Sequence, residues 1–177
     1  MATGLSASPT YDWNVSRGLL KWFCVFFMYL CGRNRIETMV HVCRKEHFNA
    51  AHKLWNPKWS EEKNKAVFGP CANENWHGHN FELIVTIKGR PDADTGFVVD
   101  LKQLSTLIRR EVIDKVDHRN LNVDVPFMAG KMASCENLVM EFWKILQPLV
   151  DELVKEGGLY KLTLYETPRN FVEYYGE

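Results

Sequence analysis

Three histidines and a glycine carry the first chemical signal in this chain. His77-Gly78-His79 stands at the entrance to a segment with strand character. Residues i and i+2 of a strand point to the same face, so both imidazoles can reach one ion. Gly78 between them removes bulk and lets another backbone come close. His52, which follows another predicted strand, can supply a third nitrogen. Three neutral imidazoles leave a tetrahedral Zn2+ with one open position, the pattern of a catalytic zinc site. His41 and His47 are not assigned to it.

Further reactive groups lie near this triplet in sequence. Cys71 precedes His77 in FGPCANENWHGH. A thiol close to a dication loses its proton more readily, and the thiolate can act as base or nucleophile. Cys43 and Cys135 are read as inert thiols. Asp117-His118 ends a predicted helix in VDHRNLN. A carboxylate beside a histidine can fix its tautomer and raise its basicity. Adjacent residues on a helix do not easily bond each other, so one or both are expected to reach another element. Glu166 falls on the same predicted strand face as Tyr160, Leu162 and Leu164. A carboxylate there needs partners. A salt bridge is one; a flat heterocycle presenting an amino group beside a ring N–H is another.

The elements that position these groups are read from periodicity. Val40–Phe48 is a predicted strand rich in β-formers. The stretch 56–68 holds Pro57 and many charges and reads as a loop. Asn80–Lys88 alternates, with Phe81, Leu83, Val85 and Ile87 on one face. Gly89–Gly96 is dense in turn formers and is expected to join two strands. Asp100 can cap a helix running to about Val116, with Leu101, Leu104, Ile108, Val112 and Lys115 at helical spacing. A second helix starts at Ser134, with a stripe of Leu138, Phe142, Ile145, Leu149 and Leu153, and Pro148 predicts a kink or an early stop. Leu159–Glu166 and Phe171–Tyr175 are predicted strands joined by a turn at Pro168-Arg169-Asn170. The order β-β-β-α-α-β-β predicts an α+β fold, with two helices packed on one face of an antiparallel β-sheet. Its exposed edges favour pairing between subunits.

The whole chain bounds the partners. It has 177 residues, with 22 basic and 22 acidic side chains and no formal net charge. That balance offers no electrostatic footprint for nucleic acid or an anionic membrane. Five cysteines, an odd number without a C-x-x-C pair, speak against a disulfide framework and for a reducing, cytoplasmic setting. Residues 1–38 differ in character. Arg17 and Lys21 precede the apolar run Trp22–Cys31, which is too short to span a bilayer and lacks a small-residue cleavage site after it. This segment is expected to be a poorly ordered extension or to lie outside the true start, for which Met39 is a candidate. The domain proper is then 39–177.

Taken together, FNAAHKL (Phe48–Leu54), FGPCANENWHGHNF (Phe68–Phe81), TGFVVDL (Thr95–Leu101), VDHRNLN (Val116–Asn122), CEN (Cys135–Asn137) and LYETPRNFVEYYGE (Leu164–Glu177) resemble the 6-pyruvoyltetrahydropterin synthase family, which includes 6-carboxytetrahydropterin synthases. The resemblance covers about Val40 to Glu177. It implies zinc on His52, His77 and His79, acting on the side-chain hydroxyls of 7,8-dihydroneopterin triphosphate. It implies Cys71 as general base, with Asp117 and His118 completing a relay that can come from a neighbouring subunit. Glu166 is implied as the anchor of the pterin ring, with Glu136 and Ser134 beside it. The implied architecture is the tunnelling fold. Its sheets join into a β-barrel on oligomerisation, and two trimers stack into a homohexamer. No nicotinamide or flavin is expected, because the redox change stays within the substrate.

This sequence departs from the family pattern in places. Ala133-Ser134-Cys135 stands where many members carry threonines, and Trp76 fills a place that is small in animal members. The C-x5-H-x-H spacing matches the animal synthases and favours a pyruvoyl product. The alternative is the 6-carboxytetrahydropterin product of queuosine biosynthesis, formed from the same substrate with release of acetaldehyde. A non-catalytic zinc- or pterin-binding scaffold is a third reading. A purely structural zinc module is disfavoured because no fourth ligand is evident near the triplet. Lys53 and Lys131 are candidates for the triphosphate.

Overall fold

Alternating apolar residues build the centre of the sheet. In the computed structural model, which describes residues 38–177, β1 spans Val40–His52 and β2 spans His77–Gly89. They pair antiparallel along their whole length, from Val40 opposite Gly89 to His52 opposite His77. On the covered face Phe48 stacks on Phe81 and meets the edge of Phe142. Leu83, Val85 and Ile87 continue that face, all fully buried. β1 therefore runs four residues beyond its predicted end, through Asn49-Ala50-Ala51, and carries His52 inside the strand rather than after it.

The predicted loop 56–68 contains a helix, α1 (Glu61–Phe68). Ser60 caps it, accepting from the Lys63 N–H, and Glu61 and Glu62 fill the first turn. Asn64 is fully buried and holds the preceding loop, accepting from the Asn56 N–H at 2.7 Å and donating to the Asn56 and Ser60 carbonyls. These local bonds outweigh the polar composition that suggested a loop.

The residues after Gly89 form no third long strand. Asp92 instead organises a turn, with its Oδ1 accepting from the Asp94 and Thr95 N–H groups, and the chain passes directly into a helix. That helix, α2 (Leu101–Ile108), is capped by Asp100, widens into a π-type turn at Arg109–Ile113 and ends in α3 (Asp114–Val116). The wide turn adds a residue to the period. The apolar stripe therefore falls on Leu104, Ile108, Val112 and Val116, while Lys115 and Leu101 are exposed. A short β3 (Arg119–Asn120) then pairs in parallel with Ala50-Ala51, making the sheet mixed at that edge.

Helix α4 (Cys135–Leu153) runs through Pro148 without stopping. Pro148 and Lys144, four residues before it, both lie on the solvent side, where water can satisfy the freed carbonyl. The buried stripe is Leu138, Val139, Phe142, Leu146 and Val150; Ile145, Leu149 and Leu153 are only partly buried. β4 (Gly157–Tyr165) and β5 (Phe171–Tyr174) complete a five-stranded sheet in the order β3-β1-β2-β4-β5. α2 packs on β1, α4 on β4 and β5, and the two helices touch, so both cover one face. The described residues form one compact α+β unit.

One irregularity matters for side-chain direction. Between Thr86 and Ile87 the β2–β4 register slips, Thr86 facing Lys161 and Ile87 facing Leu159. The unpaired residue is Tyr160, and a bulge of this kind turns a side chain over. Tyr160 accordingly leaves the face of Leu162 and Leu164 and packs against His41 and Tyr175. The residues at 1–38 that drew attention in the sequence, Arg17, Lys21 and the run Trp22–Cys31, lie outside the described residues.

Candidate active site

The β1–β2 pairing brings the three histidines together. His52 faces His77 across the ladder, and His79 lies two residues along on the same face. Ring centroids are 4.4 Å apart for His52–His77, 5.2 Å for His52–His79 and 5.0 Å for His77–His79. One donor atom from each ring lies within 4.8 Å of the others. Gly78 permits this closeness, since a Cβ there would stand 3.1 Å from the Ala50 carbonyl oxygen.

The rings fit a dication. His52 Nδ1 donates to the Ala133 carbonyl at 2.8 Å, which leaves Nε2 as a bare lone pair. That Nε2 and both ring nitrogens of His77 are buried without a hydrogen-bond partner. Buried polar atoms are rarely left so, unless an ion or water uses them. Burial lowers the pKa of all three imidazoles, and neighbouring histidines lower it further, against an opposing pull from Glu166. They stay neutral near pH 7, as ligands must.

Two cavities share Glu166 as a wall, and the larger reaches His79. The smaller, of about 370 Å3, is walled by Cys71, Ser134, Cys135, Glu136, Glu166 and Arg169 among others. The larger, of about 670 Å3, includes His79, His118, Asn49, Asn120 and Thr167. Ser134 caps α4 through its oxygen, which accepts from the Asn137 N–H, so its hydroxyl proton can still point into the cavity. Glu136 sits in the first turn of that helix.

The greater acidity expected of Cys71 depends on a cation beside it. Burial, and after it the Glu166 carboxylate, pushes its thiol up. Any easing of its ionisation has to come from a bound cation. Cys135 is pushed up further by burial and by its contact with Glu166. Cys43, Cys71 and Cys135 are free thiols.

Asp117 and His118 bond each other directly, with Asp117 Oδ2 3.0 Å from His118 Nδ1. They can do so because neither is on the helix: Asp117 is extended and His118 has φ 56°. They also reach across to β1 as expected, where Asp117 Oδ1 accepts from the Asn49 N–H at 2.8 Å. The His118 N–H donates to the Asn49 carbonyl at 2.6 Å. The Asn49 N–H, and the His118 ring after the opposing pull of desolvation, holds the Asp117 carboxyl below its usual range. Within one chain, however, Cys71 and His118 line different cavities.

Several placements differ from expectation. Lys131 is paired with Glu141 at 2.8 Å, donates to the Phe127 carbonyl and does not line these two cavities. Lys53 lies over the Trp55 and Trp76 rings, and neither Lys53 nor Trp76 lines these two cavities. A fourth donor does stand near the triplet: Glu166 Oε1 is 3.4 Å from His52 Nε2 and 3.7 Å from His79 Nε2. Ala133, Arg169 and Thr167 were not assigned to the site from the sequence. Ala133 could not have been, since only its backbone oxygen is used.

The fold and the site define an α+β protein with a three-imidazole cluster able to hold a metal ion, a carboxylate against it, and a ligand-sized cavity that this carboxylate shares with a cysteine. The chain matches the model of the 6-pyruvoyl tetrahydropterin synthase family over residues 41–177, and it belongs to that family. It is 39% identical to the 6-pyruvoyl tetrahydrobiopterin synthase of Pongo abelii over 141 residues, covering 80% of this chain and 94% of the relative. It is 38% identical to that of Dictyostelium discoideum over 142 residues, covering 80% of this chain and all of the relative. The structure of the Caenorhabditis elegans 6-pyruvoyl tetrahydropterin synthase superposes with a TM-score of 0.72 at 37% identity, covering 79% of this chain and 97% of that one. The protein is therefore an enzyme, a lyase of the 6-pyruvoyl tetrahydropterin synthase type. No described helix is long and apolar enough to cross a membrane.

Proposed function

We propose that this enzyme binds Zn2+ through His52, His77 and His79 and converts 7,8-dihydroneopterin triphosphate to 6-pyruvoyltetrahydropterin with loss of triphosphate. The observation that carries this reading is the set of buried, unpartnered nitrogens on His52 and His77, with Glu166 against His52 and also in the wall of the cavity that holds Cys71. Zinc held there supplies Lewis acidity at the side-chain oxygens of the substrate and makes the adjacent C–H protons easier to remove. Cys71 takes a proton from that side chain, and the Asp117–His118 pair holds and passes protons at His118. Glu166 accepts the amino group and ring N–H of the pterin, with the Ser134 hydroxyl and Glu136 beside it.

The separate placement of Cys71 and His118 supports an assembly in which a neighbouring copy brings its Asp117–His118 pair to the Cys71 cavity. A homohexamer built of two trimers, with sheets joined into a barrel, is the form we propose. Among the described residues, the edge strands β3 and β5 and the sheet face that no helix covers are free for it.

The test is incubation of the zinc-loaded enzyme with 7,8-dihydroneopterin triphosphate and identification of the product by mass. Inorganic triphosphate together with 6-pyruvoyltetrahydropterin is expected. Release of acetaldehyde would assign the 6-carboxytetrahydropterin reaction instead, and full turnover by Cys71→Ala would remove the cysteine from the chemistry.

A further inference from the structure

Holding a ring edge does not by itself explain where the Glu166 carboxylate stands. Its Oε1 lies 3.4 Å from His52 Nε2 and 3.7 Å from His79 Nε2. Atoms bound tetrahedrally to zinc at about 2.0–2.2 Å lie about 3.3–3.6 Å from one another. The oxygen thus has the spacing of a fellow ligand to His52 and lies just beyond that spacing from His79. The contact with His52 cannot be a hydrogen bond between neutral ring and carboxylate. The ring proton is on Nδ1, donated to Ala133, so lone pair faces lone pair. Such a contact is repulsive unless a cation lies between the two atoms.

We propose that in the substrate-free enzyme Glu166 occupies the fourth coordination position of the ion held by His52, His77 and His79, and that the pterin edge draws it off. This rests on the metal centre proposed above and assigns Glu166 two alternative partners. The backbone is suited to a side-chain switch. The Glu166 N–H is fixed to the Asn170 carbonyl at 3.0 Å, so only the carboxylate needs to swing. Glu166 is the residue common to both cavities, with His79 in the wall of one and Ser134 and Glu136 in the wall of the other. The Cys135 thiol touches it from the smaller cavity. The open coordination position then appears only when the ring is seated, ready for the side-chain oxygens.

The test uses metal and a ring without a side chain. Zn2+ affinity of the parent and of Glu166→Gln is measured by chelator competition. The Co2+-loaded proteins are titrated with 2-amino-4-oxopteridine, which has no hydroxyls to offer the ion. Glu166→Gln is expected to bind Zn2+ at least about tenfold more weakly. The pteridine is expected to shift the visible Co2+ band of the parent but not that of the variant. Equal Zn2+ affinity, with pteridine bound by fluorescence quenching and the parent band unmoved, overturns the inference and leaves the metal centre standing. A thiolate-to-Co2+ band that disappears in Cys71→Ala gives the fourth position to the cysteine and also overturns it. A parent that takes up no metal, or binds no pteridine, overturns the proposed site together with the inference. If the Gln variant fails to fold, the parent titration decides alone.

Discussion

Asp117 and His118 are neighbours in the chain, yet their side chains meet with Oδ2 3.0 Å from Nδ1. The turn at the end of α3 makes this possible, because His118 takes a left-handed backbone and Asp117 an extended one. The second oxygen of Asp117 is held by the Asn49 N–H. Asp117→Asn keeps an acceptor for Asn49 but removes the charge that orients His118. Its turnover is expected to fall roughly a hundredfold, with a far-UV circular dichroism spectrum like the parent's. Undiminished turnover would take the pair out of the reaction.

Cys71 contributes a thiol and no structural hydrogen bond from its side chain, whereas its backbone carbonyl accepts from the Leu54 N–H. Substituting Ala should therefore spare the fold. Turnover is expected to drop by roughly 10²- to 10⁴-fold with bound zinc unchanged. A simultaneous loss of zinc, measured by atomic emission, would instead mark the sulfur as a ligand.

The unpartnered nitrogens of His77 and His52 make the site costly to leave empty. Chelation of the metal is expected to lower stability by about 3 kcal/mol when zinc is held at a hundredfold excess over Kd. A thermal melt with and without chelator reads this directly. His77→Ala should melt at the same temperature in both conditions; a chelator effect that survives in the variant would place the ion elsewhere.

Glu46 is a buried carboxylate, 4% exposed, that receives Ser105 Oγ at 2.7 Å, Arg44 Nε at 2.8 Å and Arg109 at 3.2 Å. Burial pulls its pKa up, but the Ser105 and Arg44 bonds and the two guanidinium charges outweigh it, and the net shift is downward. A group whose folded-state pKa is depressed stabilises the fold above its ordinary value near 4.5, and that contribution fades as pH falls through the folded value. Glu46→Gln is expected to cost about 1–3 kcal/mol at pH 7, and the gap to the parent should shrink below pH 4.5. Urea midpoints across pH check this. A gap that stays constant with pH would show that packing, not charge, is responsible.

Gly78 has no room for a Cβ without pressing on Ala50. Gly78→Val is expected to push β1 from β2 where His52 faces His77. Zinc affinity should fall more than about tenfold. Measuring affinity beside the melting temperature separates this from simple unfolding; unchanged affinity would mean that the strands tolerate the bulk.

The two central strands were legible because their residues alternate, and alternation is a local property. Phe81, Leu83, Val85 and Ile87 share a face in the sequence pattern and in the structure. The pair His77 and His79 was legible for the same reason. The helix over residues 101–116 was visible from its cap and spacing, but its π-type turn was not, so the stripe ends on Val116 rather than Lys115. Pro148 does not stop α4, since its effect depends on which side of the helix faces water. Tyr160 misled because a bulge is a property of two paired strands, not of one.

The sequence by itself determined the residue types of the site: imidazoles two apart on a strand, a thiol nearby, and a carboxylate at the end of an apolar strand. Its motifs also carried the resemblance to the family. Only the tertiary structure decided how these groups face one another. The β1–β2 register sets His52 opposite His77, the Ala133 carbonyl selects its tautomer, and Glu166 arrives at the imidazoles from β4. Each is a contact between residues far apart in the chain. Such contacts are fixed by the packing of whole elements, and no local periodicity encodes them.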